Sequence, residues 1–191
     1  AFLLVCVVAG APASAQNSRA PGTARPKVFL IGWDGGDWSL LDPLIAEGKL
    51  PNLAALIARG RSWDLETYQP MASPLIWTTM ATGRNPVDHG VTDFHELDPK
   101  TRSRQPISSR SRKVPAIWNL ASSRGLSVGV VGWLATWPAE KVKGFLISDR
   151  SSPVLFDPEL LSRSSALTWP EGLAEGVRIV NKREGTPSYE D

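Results

Sequence analysis

Cysteine and histidine are scarce in this sequence. Its 191 residues include one cysteine, Cys6, and two histidines, His89 and His95. A single cysteine excludes an intrachain disulfide and a zinc site built from several thiolates. Each histidine could ligate a metal, although isolated histidines in loop-like sequence are more often turn or surface residues.

A strong excess of charge of one sign is also absent. The chain has 21 basic and 19 acidic residues, which gives a net charge of +2. This balance excludes a protein that coats nucleic acid or anionic lipid, and it predicts no surface for nucleic acid. With 42% hydrophobic and 21% charged residues, the composition is that of a globular protein and excludes a disordered tail or a fibrous repeat.

The sequence has no apolar run long enough to cross a bilayer, which takes about 20 residues. Its first ten residues (AFLLVCVVAG) are apolar, and Ala13 and Ala15 form a small-x-small site before polar sequence. This pattern predicts a secretory signal peptide over residues 1–15 and a flexible leader over 16–26. The segment lacks an initiator Met and a basic start, so we expect the true start to be missing. A buried helix is the alternative. Cleavage after Ala15 would leave no cysteine, which suits export to a periplasm or secretion.

From residue 27 onward, runs typical of strands alternate with runs typical of helices. The alternation predicts an α/β fold with a mostly parallel sheet flanked by helices on both faces. The predicted strands cover residues 27–33, 126–133 and 144–148. The predicted helices cover a segment capped by Asp37 and residues 52–59, 75–82 and 114–124, with short helices at 158–165 and 170–175. The polar stretch 98–112 is predicted to be an exposed loop, and its arginines to be solvated; the alternative is that they recruit an anionic substrate.

A carboxylate follows the first predicted strand. Asp34 lies directly after that strand and is followed by Gly35 and Gly36. Because ligands of open parallel sheets bind at the carboxyl ends of the strands, Asp34 is a candidate metal ligand. The alternative is that Asp34 caps the following helix. The two glycines match neither a Walker loop nor a dinucleotide fingerprint.

A serine precedes another predicted helix. Ser73 is followed by Pro74, which we expect at the first helical position. The free N–H groups and the dipole at such a helix start favour an anion, such as a bound phosphate or an alkoxide nucleophile. The alternative is an ordinary serine N-cap.

Taken together, three segments make the sequence similar to a known family. They are residues 31–38 (IGWDGGDW), 73–91 (SPLIWTTMATGRNPVDHGV) and 136–140 (TWPAE). Over roughly residues 27–150 the chain resembles the N-terminal half of the type I phosphodiesterase/nucleotide pyrophosphatase family of the alkaline phosphatase superfamily. The resemblance implies an alkaline phosphatase-like fold and hydrolysis of small phosphate mono- or diesters with two divalent metal ions, usually zinc.

The resemblance also implies roles for individual residues. Asp34 matches a metal ligand, and Ser73 matches the residue that ligates the same metal and attacks phosphorus, forming a covalent intermediate. His89 matches a structural His-Gly turn. Three residues after the nucleophile the family carries an Asn that helps to hold the phosphate, whereas this sequence has Ile76. The preference for diesters or monoesters therefore stays open.

Family members take their remaining metal ligands, aspartates and histidines, from the second half of the catalytic domain. Both histidines of this chain precede Asp149. We therefore expect residues 27–191 to be the N-terminal part of a truncated catalytic domain, with the ligands of the second metal outside this chain and no activity of its own. The oligomeric state stays open.

Other functions remain possible at this point. A protein that keeps the fold without catalysis, as a binding or surface protein, is one alternative. A sulfatase-like or phosphoglycerate mutase-like relative is another, but a sulfatase would carry Cys or Ser in a C/S-x-P-x-R setting. The residues after Ser73 lack that arginine.

Overall fold

The computed structural model of the chain describes residues 3–9, 27–151 and 165–177. The chain divides into two compact units, residues 1–67 and residues 68–191. The predicted cleavage site, the predicted leader and most of the helix expected at 158–165 lie outside the described residues. The assignment of residues 27–191 to one catalytic domain stays a prediction.

The first unit contains a two-stranded antiparallel sheet. Strand β1 (Leu3–Ala9) pairs with β2 (Lys27–Trp33), and Leu3 lies opposite Trp33. The helix considered as an alternative for the first residues is therefore wrong, while the signal-peptide interpretation stays a prediction. The apolar composition of residues 27–33 is typical of a buried strand, yet Val28 is 64% exposed. A two-stranded ribbon satisfies one edge of β2 but leaves both faces to be covered by other elements.

Two helices follow β2 as predicted. Helix α1 (Trp38–Ala46) begins at the N-cap Asp37, whose Oδ1 accepts hydrogen bonds from the backbone N–H of Ser39 at 2.8 Å and from its hydroxyl at 2.7 Å. Helix α2 (Pro51–Arg59) begins with proline, which has no N–H to leave unpaired there. A side-chain cap therefore marks the start of α1, and a proline marks the start of α2.

The second unit contains the α-helices α3 (Ser73–Thr82), α4 (Pro86–His89) and α5 (Ile117–Ser123), and residues 174–177 are also α-helical. Helix α3 is buried over most of its length and ends at Gly83, whose φ of 62° closes the helix in the left-handed region. The prediction of a helix here is confirmed, but α3 starts at Ser73 itself.

A short hairpin occupies part of the stretch that was expected to be a loop. Strand β3 (His95–Leu97) pairs antiparallel with β4 (Arg104–Pro106). The turn between them is held by Asp98, whose carboxylate accepts hydrogen bonds from the backbone N–H groups of Lys100 and Thr101, each at 2.8 Å. The loop prediction is therefore wrong over β4, because pairing with β3 overrides its polar composition.

The second sheet of this unit is mixed. Strand β5 (Val128–Val131) pairs parallel with β6 (Gly144–Ile147), and β6 pairs antiparallel with β7 (Thr168–Trp169). The connection between β5 and β6, residues 132–143, contains no helix. A 3₁₀ helix, Glu171–Leu173, lies within the helix predicted at 170–175.

The α/β class is confirmed, but a mostly parallel sheet flanked by helices is not found in the described residues. Parallel pairing there is confined to β5 and β6, and the sheets have two or three strands. Apolar runs predict strands but not their partners, because the partners lie far away in the sequence.

The core of the second unit joins α3, α5, β5, β6 and the connection before β6. Trp133 and Trp169 pack against it from partly buried positions. Its buried residues are Ala81, Ala116, Trp118, Val130, Val142 and Leu146. Helix α3 is thus fixed to the sheet near its C-terminal end.

Candidate active site

Asp34 lies in an exposed turn at the carboxyl end of β2. The turn is made by Gly35, with a φ of 72°, and by Gly36, which is buried. None of the other described residues forms a hydrogen bond with the Asp34 carboxylate. Since Asp37 caps α1, the alternative that Asp34 is the cap is wrong. The carboxylate is therefore available to a ligand.

Ser73 is the first residue of α3 and is half-buried. The N-cap is Ala72, whose carbonyl accepts the N–H of Ile76 at 3.1 Å, and no side chain caps the helix. The alternative of a serine N-cap is therefore wrong, and Pro74 is the second helical residue rather than the first. No described residue forms a hydrogen bond with the Ser73 hydroxyl. The first-turn N–H groups give this hydroxyl a positive electrostatic environment.

Asp34 belongs to the first unit and Ser73 to the second, so their sharing of one zinc ion stays a prediction. Carboxylate and hydroxyl oxygens are suitable donors for a divalent metal, and neither side chain is engaged by another described residue. Within residues 27–151 and 165–177, no group of three or more His, Cys, Asp and Glu side chains is arranged to hold a metal ion. Taken separately, each of these two oxygens is by its chemistry a suitable metal ligand.

An indole from the connection between β5 and β6 holds the helix of Ser73. Trp133 Nε1 donates a hydrogen bond to the carbonyl oxygen of Trp77 at 3.1 Å. The two rings meet edge to face, with centroids 5.1 Å apart and an interplanar angle of 87°. Trp118 also packs against the Trp133 ring, and the centroids of these two rings are 6.0 Å apart. Sequence reasoning missed this contact, which spans 56 positions.

A buried carboxylate shapes the same connection. Asp149, which is 5% exposed, accepts hydrogen bonds from the backbone N–H groups of Ala135 at 2.8 Å and Trp137 at 3.1 Å. Burial raises the pKa of Asp149, and the hydrogen bonds from backbone N–H groups oppose this effect. Its place directly after a predicted strand, like that of Asp34, was the signal that could have identified it.

His89 links α3 to α4 and is fully buried. Its Nδ1 accepts the N–H of Val91 at 3.2 Å, so the proton lies on Nε2, which donates to the Thr79 hydroxyl at 3.0 Å. Thr79 in turn donates to the Leu75 carbonyl at 2.9 Å. Burial lowers the pKa of His89, whereas the Asp88 carboxylate acts in the opposite direction. These contacts give His89 a structural role, as the His-Gly turn implied.

One arginine of the polar stretch is neither solvated nor free to recruit substrate. The Arg112 side chain is 4% exposed and forms an ion pair with Glu140 at 2.6 Å. The same carboxylate accepts hydrogen bonds from Trp118 Nε1 at 3.0 Å and Asn119 Nδ2 at 3.2 Å. The guanidinium carbon lies 5.2 Å from the Trp118 ring centroid. Arg112 therefore has a structural role.

An open cavity of about 430 Å³ lies at the opposite end of α3 from Ser73. It is lined by Thr82, Arg84, Asp88, Val114, Pro115 and Leu120. Ser73 and Thr82 are nine positions apart in the helix, a rise of about 13 Å. This cavity is therefore separate from the predicted nucleophile.

Comparisons with known proteins identify one family. The model of the type I phosphodiesterase / nucleotide pyrophosphatase family matches residues 28–178. No curated protein and no solved structure matches the chain. Among the described residues, the helices are too short or too polar to cross a membrane.

Proposed function

The chain belongs to the type I phosphodiesterase/nucleotide pyrophosphatase family, and we propose that the complete gene product hydrolyses small phosphate esters by attack of Ser73 on phosphorus. The observation that carries the proposal is the state of Ser73. Its hydroxyl lies at the uncapped start of a buried ten-residue helix and is not engaged by another described residue. A hydroxyl in this position serves no capping role and faces a favourable field for negative charge.

The proposed reaction has two displacements at phosphorus. The Ser73 hydroxyl loses its proton and its Oγ bonds to phosphorus, while the bond from phosphorus to the leaving oxygen breaks. The leaving group departs with a proton as an alcohol, and a phosphoseryl intermediate remains. Water then attacks phosphorus and releases phosphate or a monoester together with the free serine. The first-turn N–H groups of α3 stabilise the negative charge on Oγ and on the phosphoryl oxygens.

Asp34 and Ser73 are the residues that would hold a divalent metal ion, for which zinc is the family expectation. When bound, such an ion lowers the pKa of a ligating hydroxyl and neutralises charge on the phosphoryl group. The exposed Asp34 carboxylate suits this role because Asp37 provides the cap of α1. The ligands of a second ion are not assigned.

The residue at position 76 bears on the substrate. Ile76 is 4% exposed and offers no hydrogen-bond donor to a phosphoryl oxygen. The family's asparagine amide therefore has no equivalent at this position. We propose that the helix start would hold the phosphate, together with a metal ion when one is bound. Because the preference for monoesters or diesters stays open, both should be assayed side by side.

Export is part of the proposal. The apolar first ten residues and the small-x-small site at Ala13 and Ala15 support a signal peptide. Expression with its native start in a bacterial host should yield a periplasmic or secreted protein whose N-terminus is Gln16. Recovery of uncleaved protein in the cytoplasm would refute export.

The complete gene product should hydrolyse an aryl phosphate ester in a zinc-dependent way. Ser73→Ala should abolish turnover without lowering Tm, and Ser73→Thr should keep part of it because a hydroxyl remains at the helix start. Ser123→Ala is the matched control, since Ser123 ends α5 and donates only to the Leu120 carbonyl.

The assays also separate the alternative functions. Full activity of Ser73→Ala contradicts the nucleophile assignment. Preferential turnover of an aryl sulfate supports a sulfatase-like enzyme. Ligand binding by a zinc-loaded protein without turnover supports a binding protein.

A further inference from the structure

We propose that Trp133 is a positioning residue for Ser73, because it fixes the N-terminal half of α3 through a hydrogen bond to the Trp77 carbonyl. This inference rests on the proposed nucleophilic role of Ser73. Trp133 does not act on the substrate itself; its effect passes through the backbone of α3.

The helical spacing makes this coupling direct. Trp77 lies four positions after Ser73, so the two residues share one face of α3 and are separated by about 6 Å along its axis. A shift or tilt of α3 at Trp77 is therefore passed to Ser73 through one rigid helical turn. The hydrogen bond of 3.1 Å and the edge-to-face ring contact of 5.1 Å both act at this point.

Trp133 is itself held from two sides. Its ring lies against that of Trp118, whose indole N–H is bound by Glu140 at 3.0 Å. Its backbone belongs to the segment that Asp149 ties down through the N–H groups of Ala135 and Trp137. Within that segment Ala135 has a φ of 58°, a strained conformation for a residue with a side chain. The surroundings thus enforce one position of the Trp133 indole.

Such fixation has a kinetic consequence. Attack on phosphorus requires the nucleophilic oxygen in line with the leaving group, and a misplacement of about 1 Å can cost on the order of 100-fold in rate. Because the proposed effect passes through the backbone of α3, loss of the Trp133 hydrogen bond should lower kcat and leave KM nearly unchanged.

The test compares Trp133→Phe with Trp169→Phe in the complete, zinc-loaded gene product, using an aryl phosphate ester. Trp169 packs against the same core and donates its indole N–H to the Val142 carbonyl at 2.9 Å, so both variants remove one hydrogen bond from an indole to a backbone carbonyl and keep an aromatic ring. Trp133→Phe should lower kcat by about 10-fold or more with an unchanged KM, whereas Trp169→Phe should stay within about 2-fold of the parent. Equal losses of kcat in the two variants, or a parallel rise in KM, would overturn the proposal.

A second replacement removes the donor alone and guards against misfolding. Benzothienylalanine at position 133 keeps the fused ring and replaces the N–H by sulfur, and it should reproduce the loss of kcat at an unchanged Tm. Parental kcat in this protein would overturn the proposal. The Ser73→Ala variant separates the two ideas: its full activity would remove the nucleophile on which the inference rests. If Ser73→Ala is inactive but the variants at position 133 keep the parental kcat, the positioning role is refuted and the nucleophile assignment stands.

Discussion

The ion pair of Arg112 and Glu140 offers the sharpest test of stability in the second unit. We predict that Glu140→Ala lowers the free energy of unfolding by about 3–5 kcal/mol. The substitution leaves the Arg112 guanidinium, whose side chain is 4% exposed, without its carboxylate at 2.6 Å. It also removes the acceptor of Trp118 Nε1 and Asn119 Nδ2. The buried guanidinium then has no counter-charge, and the buried Trp118 and half-buried Asn119 donors lose their acceptor.

The predicted loss of stability comes from leaving one buried charge without its partner, and not from the strength of the attraction between the two charges. For the same reason, Arg112→Met in combination with Glu140→Ala should cost less than the sum of the two single substitutions, because neither charge is then left alone. The exposed pair of Lys49 and Glu47, with side chains 64% and 55% exposed, is the control. Glu47→Ala should leave the free energy of unfolding nearly unchanged.

The measurement is urea-induced unfolding followed by tryptophan fluorescence, since most of the tryptophans lie in the second unit. A loss below about 1 kcal/mol for Glu140→Ala would refute the reasoning, because a pair of that strength is typical of exposed ions. Strict additivity of the double variant would refute the uncompensated-charge argument.

Two further predictions concern backbone packing and pH. Gly144→Ala should destabilise the protein by about 2–3 kcal/mol, measured by thermal unfolding, because a Cβ there would collide with the Val128 carbonyl oxygen. Gly172→Ala should be tolerated, because nothing lies within 4 Å of a Cβ there, and equal effects of the two substitutions would contradict this reasoning. Burial lowers the pKa of His89 below its ordinary value of 6.5. The stability that neutral His89 contributes is therefore present above pH 6.5 and is lost as the pH falls, by at most about 1.4 kcal/mol per pH unit. Tm measured from pH 7.5 to 5 should therefore fall more steeply for the parent than for His89→Gln, and identical slopes would contradict the sign.

Features that depend on neighbouring residues were predictable from the sequence. The cap of α1 by Asp37 and the end of α3 at Gly83 follow from local chemistry, and both are confirmed. The predicted helix over residues 75–82 begins two residues later than α3, because a serine before proline was expected to cap the helix from outside. In the structure Ala72, and not Ser73, is the N-cap residue of α3.

Features that depend on distant residues were not predictable. Arg112 was interpreted as part of a solvated loop, since its partner Glu140 lies 28 positions away. Strand β6 was predicted, but its antiparallel partner β7, only two residues long, was not. The positions of Asp34 and Ser73 made them candidates, the resemblance gave them their roles, and their common metal site stays a prediction.

The connection between β5 and β6 replaces the helix that usually links parallel strands. Residues 132–143 supply an indole to α3, a carboxylate to Arg112 and Val142 to the core. An opening of this connection would release all three contacts at once. In amide hydrogen exchange, α3 and β5 should therefore open together with a common free energy, as a single cooperative unit, rather than fray one after the other.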